Sequence, residues 1–286
     1  MPKIKYLFQF IGIILLFSIF KILGRKYASI LSGNIMKMIG PFFRSKKICH
    51  YNLSTAFPKL ENNEREIILK EMWFNYGRIL AEYIYISDFR NSKISKNIII
   101  ENQKELEKIK SLPEPVIFVS GHFNNFELMA MHLEKSGINL AALYRPLNNP
   151  FLNPIMEKIR KKYICKKQVK KGISGTKELL KYFKDGNSIA LMIDQRVSEG
   201  IKCNFFDKQA FTTTIPAQFA KKYNAKIVPI YIERTKTDDF KIKIYESLEF
   251  SQNETLEKIT LKLNKILENM IRKNPSQWIW THNRWK

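Results

Sequence analysis

A histidine and a glutamate five residues apart are the residues of this sequence best suited to acid–base chemistry. His122 and Glu127 both lie in the stretch VIFVSGHFNNFE, where Gly121 permits a tight turn and Asn124 or Asn125 can cap the next helix. A carboxylate in a first helical turn can hold one nitrogen of a loop histidine while the other nitrogen accepts a proton. A helix-capping or surface histidine beside an unrelated glutamate is the competing interpretation.

Two further apolar runs end in polar residues of the kind that contact substrates. ALYRP ends near Arg145, and ALMIDQR ends in Asp194, Gln195 and Arg196. An arginine at a strand end suits a phosphate or a polarised carbonyl oxygen, although it can also cover apolar surface or pair with a neighbour. Functional groups of parallel sheets gather beyond the carboxyl ends of the strands. We therefore expect these residues and His122 to surround one crevice.

Alternating β-branched and amphipathic segments predict the sheet that would position these residues. Strands are expected at residues 98–100, 116–119, 140–144, 188–193 and 227–232, with an edge strand at 240–245. Helices are expected between about 27 and 85, and at 126–135, 154–163, 176–184, 216–223 and 255–271. This alternation predicts an α/β fold, with a mainly parallel sheet flanked by helices.

The amino-terminal segment has the composition of a hydrophobic membrane-anchor helix. The run YLFQFIGIILLFSIF between Lys5 and Lys21 carries no charge, and Ile4, Ile22 and Leu23 extend it to near the ~17 to 25 residues that span a bilayer. A cleaved signal peptide is disfavoured because no A-x-A-like site follows the apolar core. A buried or interfacial helix is the alternative to a spanning one.

Composition bounds the class of protein and its partners. The 286 residues carry 49 Lys and Arg against 26 Asp and Glu, a net charge of +23, and 45% are hydrophobic, which excludes a disordered chain. The positive excess suits anionic lipid, nucleic acid or an acidic protein. Three widely spaced cysteines favour a reducing compartment. We expect no metal and no cofactor, since no cysteine pair has zinc-ligand spacing and no P-loop, G-x-G-x-x-G or H-E-x-x-H motif occurs.

Five stretches together resemble the bacterial lipid A biosynthesis late acyltransferases, a branch of the lysophospholipid acyltransferase superfamily. They are GHFNNFE, LYRP, MIDQR, NFFDKQAFTTTIPAQFAKKYNAKIVPIY and the terminal PSQWIWTHNRWK. The resemblance implies a glycerolipid acyltransferase-like body on the cytoplasmic face of the inner membrane. It also implies transfer of a fatty acyl chain from an acyl thioester to a hydroxyl of a lipid A precursor. The implied division is a membrane anchor at 1–26, a helical lead-in at 27–95 and an α/β acyltransferase domain at 96–286.

The resemblance also assigns roles to single residues. His122 matches the catalytic base and Glu127 its acidic partner. The residues expected to bind substrate are Arg145, Asp194, Gln195 and Thr212. Trp278, Trp280 and Trp285 could anchor the chain at the membrane interface or fill the core, and we favour the core.

Partners follow from the charge and the resemblance. An acidic acyl carrier protein is the expected thioester donor, and coenzyme A fits almost as well. The acceptor is expected to be an anionic lipid at the membrane, and no nucleic acid is expected because no recognisable nucleic-acid module is present. Two alternatives remain open. One is transfer to another lipid acceptor, such as a lysophospholipid, an aminolipid or a glycolipid, and the other is a non-catalytic basic membrane-bound binding protein.

Overall fold

A computed structural model describes residues 2–236 and 238–286 of the chain. The α-helices are α1 (Pro2–Phe43), α2 (Lys46–Ala56), α3 (Asn62–Glu82), α4 (Ile86–Asn91), α5 (Gln103–Lys110), α6 (Glu127–Lys135), α7 (Leu152–Tyr163), α8 (Ile173–Lys184), α9 (Ile215–Tyr223) and α10 (Leu256–Lys273). The strands are β1 (Ile98–Glu101), β2 (Ile117–Ser120), β3 (Leu140–Tyr144), β4 (Lys167–Lys170), β5 (Ser188–Met192), β6 (Ile201–Phe205), β7 (Lys208–Thr212), β8 (Ile227–Arg234) and β9 (Phe240–Ile244). Short 3₁₀ turns lie at Tyr83–Tyr85, Lys93–Asn97 and Pro275–Gln277.

Seven strands form one mainly parallel sheet, in the order β1-β9-β8-β2-β5-β3-β4. Every neighbouring pair is parallel except β8 and β9, which are antiparallel. The central strands β2 and β8 are buried along their whole length, as expected for a sheet covered on both faces. The predicted α/β class, with a mainly parallel sheet flanked by helices, is confirmed.

The predicted edge position of the 240–245 strand is wrong. β9 lies between β1 and β8, and β1 occupies that edge of the sheet. The sequence analysis also missed β4, because its sequence KQVK contains only one apolar residue, Val169, and only that residue is buried. It missed the separate β6–β7 hairpin as well. Phe206 and Asp207 form its two-residue turn with φ of 50° and 56°, without the Asn-Gly or Asp-Gly signature of such turns.

The apolar segment forms the first part of α1. Within the described residues, α1 is the one helix long and apolar enough to cross a membrane. The helix bends at Gly24, whose φ of 76° lies in the left-handed region that favours glycine, and then continues to Phe43. The predicted boundary between anchor and lead-in therefore falls inside one helix, two residues past its bend.

The second part of α1 packs closely on α3 through small residues. A Cβ atom on Gly77 of α3 would lie 2.2 Å from the Ser32 carbonyl oxygen. The Ser32 hydroxyl donates to the Gly77 carbonyl oxygen at 2.6 Å, and Arg78 Nε donates to the Ser29 hydroxyl at 2.9 Å. The close approach of the two backbones at Gly77 thus determines how α1 and α3 cross.

The lead-in helices and the sheet share one hydrophobic core. Its buried members run from Phe20 in α1, through Trp73 in α3, to Trp278, Trp280 and Trp285 at the carboxyl terminus. The three carboxyl-terminal tryptophans are between 0% and 7% exposed, so the core interpretation is confirmed and the interfacial one is wrong. The end of the chain is therefore a structural part of the fold.

A Gly77→Ala variant should unfold at a lower temperature than the parent protein. The added methyl group has no room beside Ser32, and overpacking of this kind costs about 1 to 3 kcal/mol. Gly12→Ala is the matched control, because a Cβ there meets nothing within 4 Å and alanine favours a helix. Thermal unfolding followed by circular dichroism in detergent measures both. Equal melting temperatures for Gly77→Ala and the parent would contradict the close α1–α3 contact.

Candidate active site

Strand register brings His122 and Asp194 together. β2 and β5 are parallel neighbours, and Ser120 pairs with Met192 at the last position of each strand. His122 and Asp194 each lie two residues beyond that pair. The His122 Nδ1 atom lies 2.8 Å from Asp194 Oδ1, and this contact joins the two strand exits.

The Asp194 carboxylate is held by three hydrogen bonds. Oδ1 binds the His122 ring, and Oδ2 accepts from the His122 backbone N–H at 2.9 Å and from Trp278 Nε1 at 2.8 Å. Asp194 is only 2% exposed. Gly121 permits this approach, because a Cβ there would lie 3.2 Å from Asp194 Cβ and 2.9 Å from the Phe123 ring.

The two side chains shift each other's pKa in opposite directions. Burial raises the pKa of Asp194, but the charge and hydrogen bonds of His122, with the Trp278 hydrogen bond, outweigh burial and lower that pKa to about 2. Burial lowers the pKa of His122, yet the negative charge and hydrogen bond of Asp194 raise it above 6.5 overall, with a further contribution from Glu127. With Nδ1–H donating to Asp194, the neutral ring leaves Nε2 as its proton acceptor.

Glu127 occupies a different position from the one expected. Its Oε1 atom accepts from Arg160 Nε at 2.8 Å and Nη2 at 2.7 Å, and Tyr83 donates to it at 3.4 Å. Among the described residues no hydrogen bond joins Glu127 to His122, so the expected direct pair is not formed. Glu127 begins α6 and faces Arg160 on α7, whereas the Phe126 ring lies edge-on to His122, with centroids 4.9 Å apart. Asp194, expected to bind substrate, takes the orienting position.

A buried ion pair anchors the loop that carries His122. Glu82 and Arg234 are 2.7 Å apart, and their side chains are 0% and 3% exposed. Asn125 Nδ2 donates to Glu82 Oε2 at 3.1 Å, and Arg234 Nη2 donates to Asn124 Oδ1 at 3.1 Å. The two asparagines therefore hold residues 121–126 to the body, a role beyond helix capping.

Arg145 and Gln195 lie at the same edge of the sheet as His122. β3, which ends just before Arg145, is the neighbour of β5, so the three predicted exits belong to consecutive strands. Arg145 is exposed, Gln195 is half-buried, and neither side chain forms a hydrogen bond or ion pair within the described part of the chain. Lys171 follows β4 and is also exposed. This edge therefore offers basic groups whose charge is not neutralised by a bound carboxylate.

Thr212 does not have the free hydroxyl expected of a substrate ligand. It is 1% exposed, accepts from Arg284 Nη2 at 2.7 Å and donates to the Ala210 carbonyl oxygen at 3.1 Å. Arg284 is itself buried and donates to the Phe211 carbonyl oxygen at 2.6 Å. Because its hydroxyl is engaged on both sides, Thr212 fastens the carboxyl-terminal segment to the β6–β7 hairpin.

His282 is a second histidine near the site that the sequence analysis did not single out. Its Nε2 atom accepts from the Arg196 backbone N–H at 2.9 Å, directly after Asp194 and Gln195. Burial lowers the pKa of His282 to about 4 against the opposing charge of Asp194, so the ring is neutral and acts as an acceptor. The sequence signal for His282 is weak: it lies in the terminal stretch WTHNRWK, and its contact with Arg196 is 86 residues away along the chain.

Comparison with known proteins identifies the family. The model of the family described as "Bacterial lipid A biosynthesis acyltransferase" matches residues 1–286. The chain belongs to this acyltransferase family. It is 27% identical over 251 residues to a lipid A biosynthesis acyltransferase of Haemophilus influenzae, covering 85% of this chain and 78% of the relative. It is 25% identical over 266 residues to the lipid A biosynthesis palmitoleoyltransferase of Escherichia coli K12, covering 90% of this chain and 84% of the relative.

Family membership makes the protein an O-acyltransferase and excludes the non-catalytic alternative.

The Escherichia coli K12 lipid A biosynthesis lauroyltransferase is 24% identical over 254 residues, covering 85% of this chain and 79% of its own length. A crystal structure of the 1-acyl-sn-glycerophosphate acyltransferase PlsC from Thermotoga maritima aligns with a TM-score of 0.38 at 15% identity, covering 90% of this chain and 100% of that one.

An Asp194→Asn variant of the acyltransferase should lose about 10²- to 10⁴-fold in kcat/KM, the usual contribution of a positioned base. If the neutral form of His122 is the base, as the sequence analysis expects, activity rises with pH through the His122 pKa. Asparagine removes the charge that raises this pKa, and the rising limb should therefore move to lower pH. A pH–rate profile of acyl transfer measures the shift. If the rising limb of the Asp194→Asn profile lies at the same pH as that of the parent protein, Asp194 does not act on His122.

A Glu127→Gln variant should instead lose stability. It removes the negative charge facing Arg160, whose side chain is only 11% exposed, and breaking a buried pair costs up to about 3 to 5 kcal/mol. Glu249→Gln is the control, since its pair with Lys226 is largely exposed and exposed pairs contribute about 0 to 1 kcal/mol. Denaturant unfolding compares the two. If Glu127→Gln keeps full stability and moves the pH limb to lower pH, while Asp194→Asn leaves it at the parent's pH, then Glu127 and not Asp194 orients His122.

Proposed function

We propose that this acyltransferase moves a fatty acyl chain from an acyl thioester to a hydroxyl of a lipid A precursor, at the cytoplasmic face of the inner membrane. The observation that supports it most is the His122 ring, held through Nδ1 by Asp194 and 21% exposed on its side chain. A histidine held in this way can deprotonate an alcohol from Nε2. The relatives named for lipid A acyl transfer support the choice of acceptor.

The transfer is direct in the proposed mechanism. His122 Nε2 takes the proton of the acceptor hydroxyl as its oxygen attacks the thioester carbon. The negative charge of Asp194 stabilises the imidazolium that forms. The tetrahedral intermediate then expels the thiolate, the C–S bond breaks, and His122 returns its proton to the sulfur. The products are an ester and a free thiol, and neither a covalent enzyme intermediate nor a cofactor is required.

The remaining acceleration comes from alignment of the two substrates and from stabilisation of the oxyanion. Arg145 is the proposed donor to the oxyanion or to a phosphate of the acceptor, because its guanidinium lies exposed beyond β3 without a partner among the described residues. Lys171 adds positive charge at the same edge. Gln195 is proposed to contact the acceptor, since it is half-buried directly after Asp194.

Acyl carrier protein is the proposed thioester donor. The chain carries a net charge of +23, and an acidic carrier protein would approach such a surface faster through electrostatic attraction. The cytoplasmic location is consistent with the cysteines, because Cys49, Cys165 and Cys203 are all buried and unpaired. The apolar α1 helix is the proposed site of membrane association.

His122→Ala should abolish transfer to within background, a loss of about 10²-fold or more. His132→Ala is the matched control, because His132 lies on α6 and bonds only to Ser136 among the described side chains. The assay offers acyl carrier protein and coenzyme A thioesters in detergent against a lipid A precursor, a lysophospholipid and an aminolipid, with products identified by mass.

Full activity in His122→Ala would refute the proposed base. Equal rates on every acceptor would remove the lipid A assignment while leaving the acyltransferase activity intact. Faster transfer from the coenzyme A thioester than from the acyl carrier protein thioester would show that coenzyme A is the preferred donor.

A further inference from the structure

The first part of α1 lies against the protein body along its length. Near its beginning, Asn149 Nδ2 donates to the Tyr6 carbonyl oxygen at 2.8 Å, and the rings of Phe10 and Phe151 lie 6.1 Å apart. Near its end, the Tyr85 hydroxyl donates to the Phe20 carbonyl oxygen at 2.6 Å. Tyr6 and Phe20 are about 21 Å apart along a helix of this length. The helix is therefore bound to the body at both ends and does not project from it.

Two opposite faces of this helix are apolar, and the described residues cover only one of them. The face toward the body carries the partly or fully buried residues Tyr6, Phe10, Ile13, Phe17 and Phe20. The outward face carries an unbroken stripe at helical spacing, formed by Ile4, Phe8, Ile11, Leu15, Ile19 and Ile22. These outward side chains are between 46% and 86% exposed. Six neighbouring apolar side chains on one face mark an interaction surface.

The loop beside Tyr6 excludes a helix perpendicular to the bilayer. That orientation would place Asn149 about 21 Å from Tyr85 along the membrane normal, deep in or across the hydrocarbon. Residues 145–151 have no regular secondary structure, and Arg145 and Asn148 are exposed there. Irregular backbone facing lipid does not occur inside the hydrocarbon region, because its polar groups would have no partners.

Charge identifies the occupant of the outward face as an anionic bilayer. No acidic residue precedes Glu61, whereas Lys3, Lys5, Lys21 and Arg25 flank the apolar stripe. Next to the Phe10–Phe151 contact, α7 exposes Ile155 on its first turn and Lys158 one turn later. Apolar side chains bordered by cations are the arrangement that binds the headgroup and acyl boundary of anionic membranes.

We propose that residues 3–23 lie in the plane of the membrane interface instead of crossing the bilayer. One face packs on the enzyme and the outward stripe enters the lipid, which explains why the helix is apolar all round. The inference deepens the proposed membrane association and rests on it. It places the amino terminus and the α/β body on the same side of the bilayer, and it brings the loop after β3, with Arg145, to the lipid surface.

Cysteine accessibility tests the topology in cells. Lys3→Cys and Lys258→Cys each introduce one exposed thiol, whereas the native cysteines are no more than 6% exposed. A membrane-impermeant maleimide is added to spheroplasts and to lysed spheroplasts. Both positions should be labelled under the same condition, and labelling from opposite sides would overturn the proposal. Which side they share tests the proposed cytoplasmic location separately.

Depth measurement tests the same proposal in vitro. Bimane is attached to Ile4→Cys, Ile11→Cys and Ile22→Cys, and the protein is bound to phosphatidylethanolamine–phosphatidylglycerol vesicles with lipids brominated at different depths. An in-plane helix gives the same quenching depth at all three positions. A spanning helix would place Ile11 about 10 Å deeper than Ile4, and that profile would overturn the proposal. Label at Lys258→Cys is the unquenched control, and circular dichroism confirms that each variant folds.

Discussion

The candidate catalytic site depends above all on the hydrogen bonds of the Asp194 carboxylate. It receives the His122 ring, the His122 backbone N–H and the Trp278 indole N–H, and so joins the ends of two neighbouring strands to the carboxyl-terminal segment. A buried carboxylate is stable as an anion only when hydrogen bonds and a nearby cation compensate for lost water. The same contacts that keep Asp194 ionised therefore fix the orientation and tautomer of His122.

The contacts around this carboxylate form successive supporting layers. Gly121 leaves room for Asp194, the Glu82–Arg234 pair holds the asparagines that follow His122, and His282 accepts from the backbone just after Asp194. Arg284 ties the end of the chain to the β6–β7 hairpin through Thr212. The tryptophan-rich terminus thus helps to position the site. Its tryptophans are accordingly buried in the core and do not face lipid.

The sequence predicted the fold class, most strands and helices, and the exits that carry His122, Arg145 and Asp194, because hydrophobic periodicity and strand–helix alternation are local signals. It assigned the histidine's partner to Glu127, since spacing within one segment can be read along the chain. Asp194 is 72 residues away, and its pairing follows from the order of strands in the sheet, which periodicity does not give. Arg160, which binds Glu127, lies on another helix, and periodicity does not predict this contact for the same reason.

The protonation of the His122 ring tests the central role of Asp194 most directly. Nitrogen NMR of histidine-labelled protein, with His122 assigned by comparison with His122→Ala, reports which ring nitrogen carries the proton and the pH at which the ring titrates. A neutral ring protonated on Nδ1, with a pKa above 6.5 that falls in Asp194→Asn, is the predicted result. A proton on Nε2, or a pKa unchanged by Asp194→Asn, would contradict it.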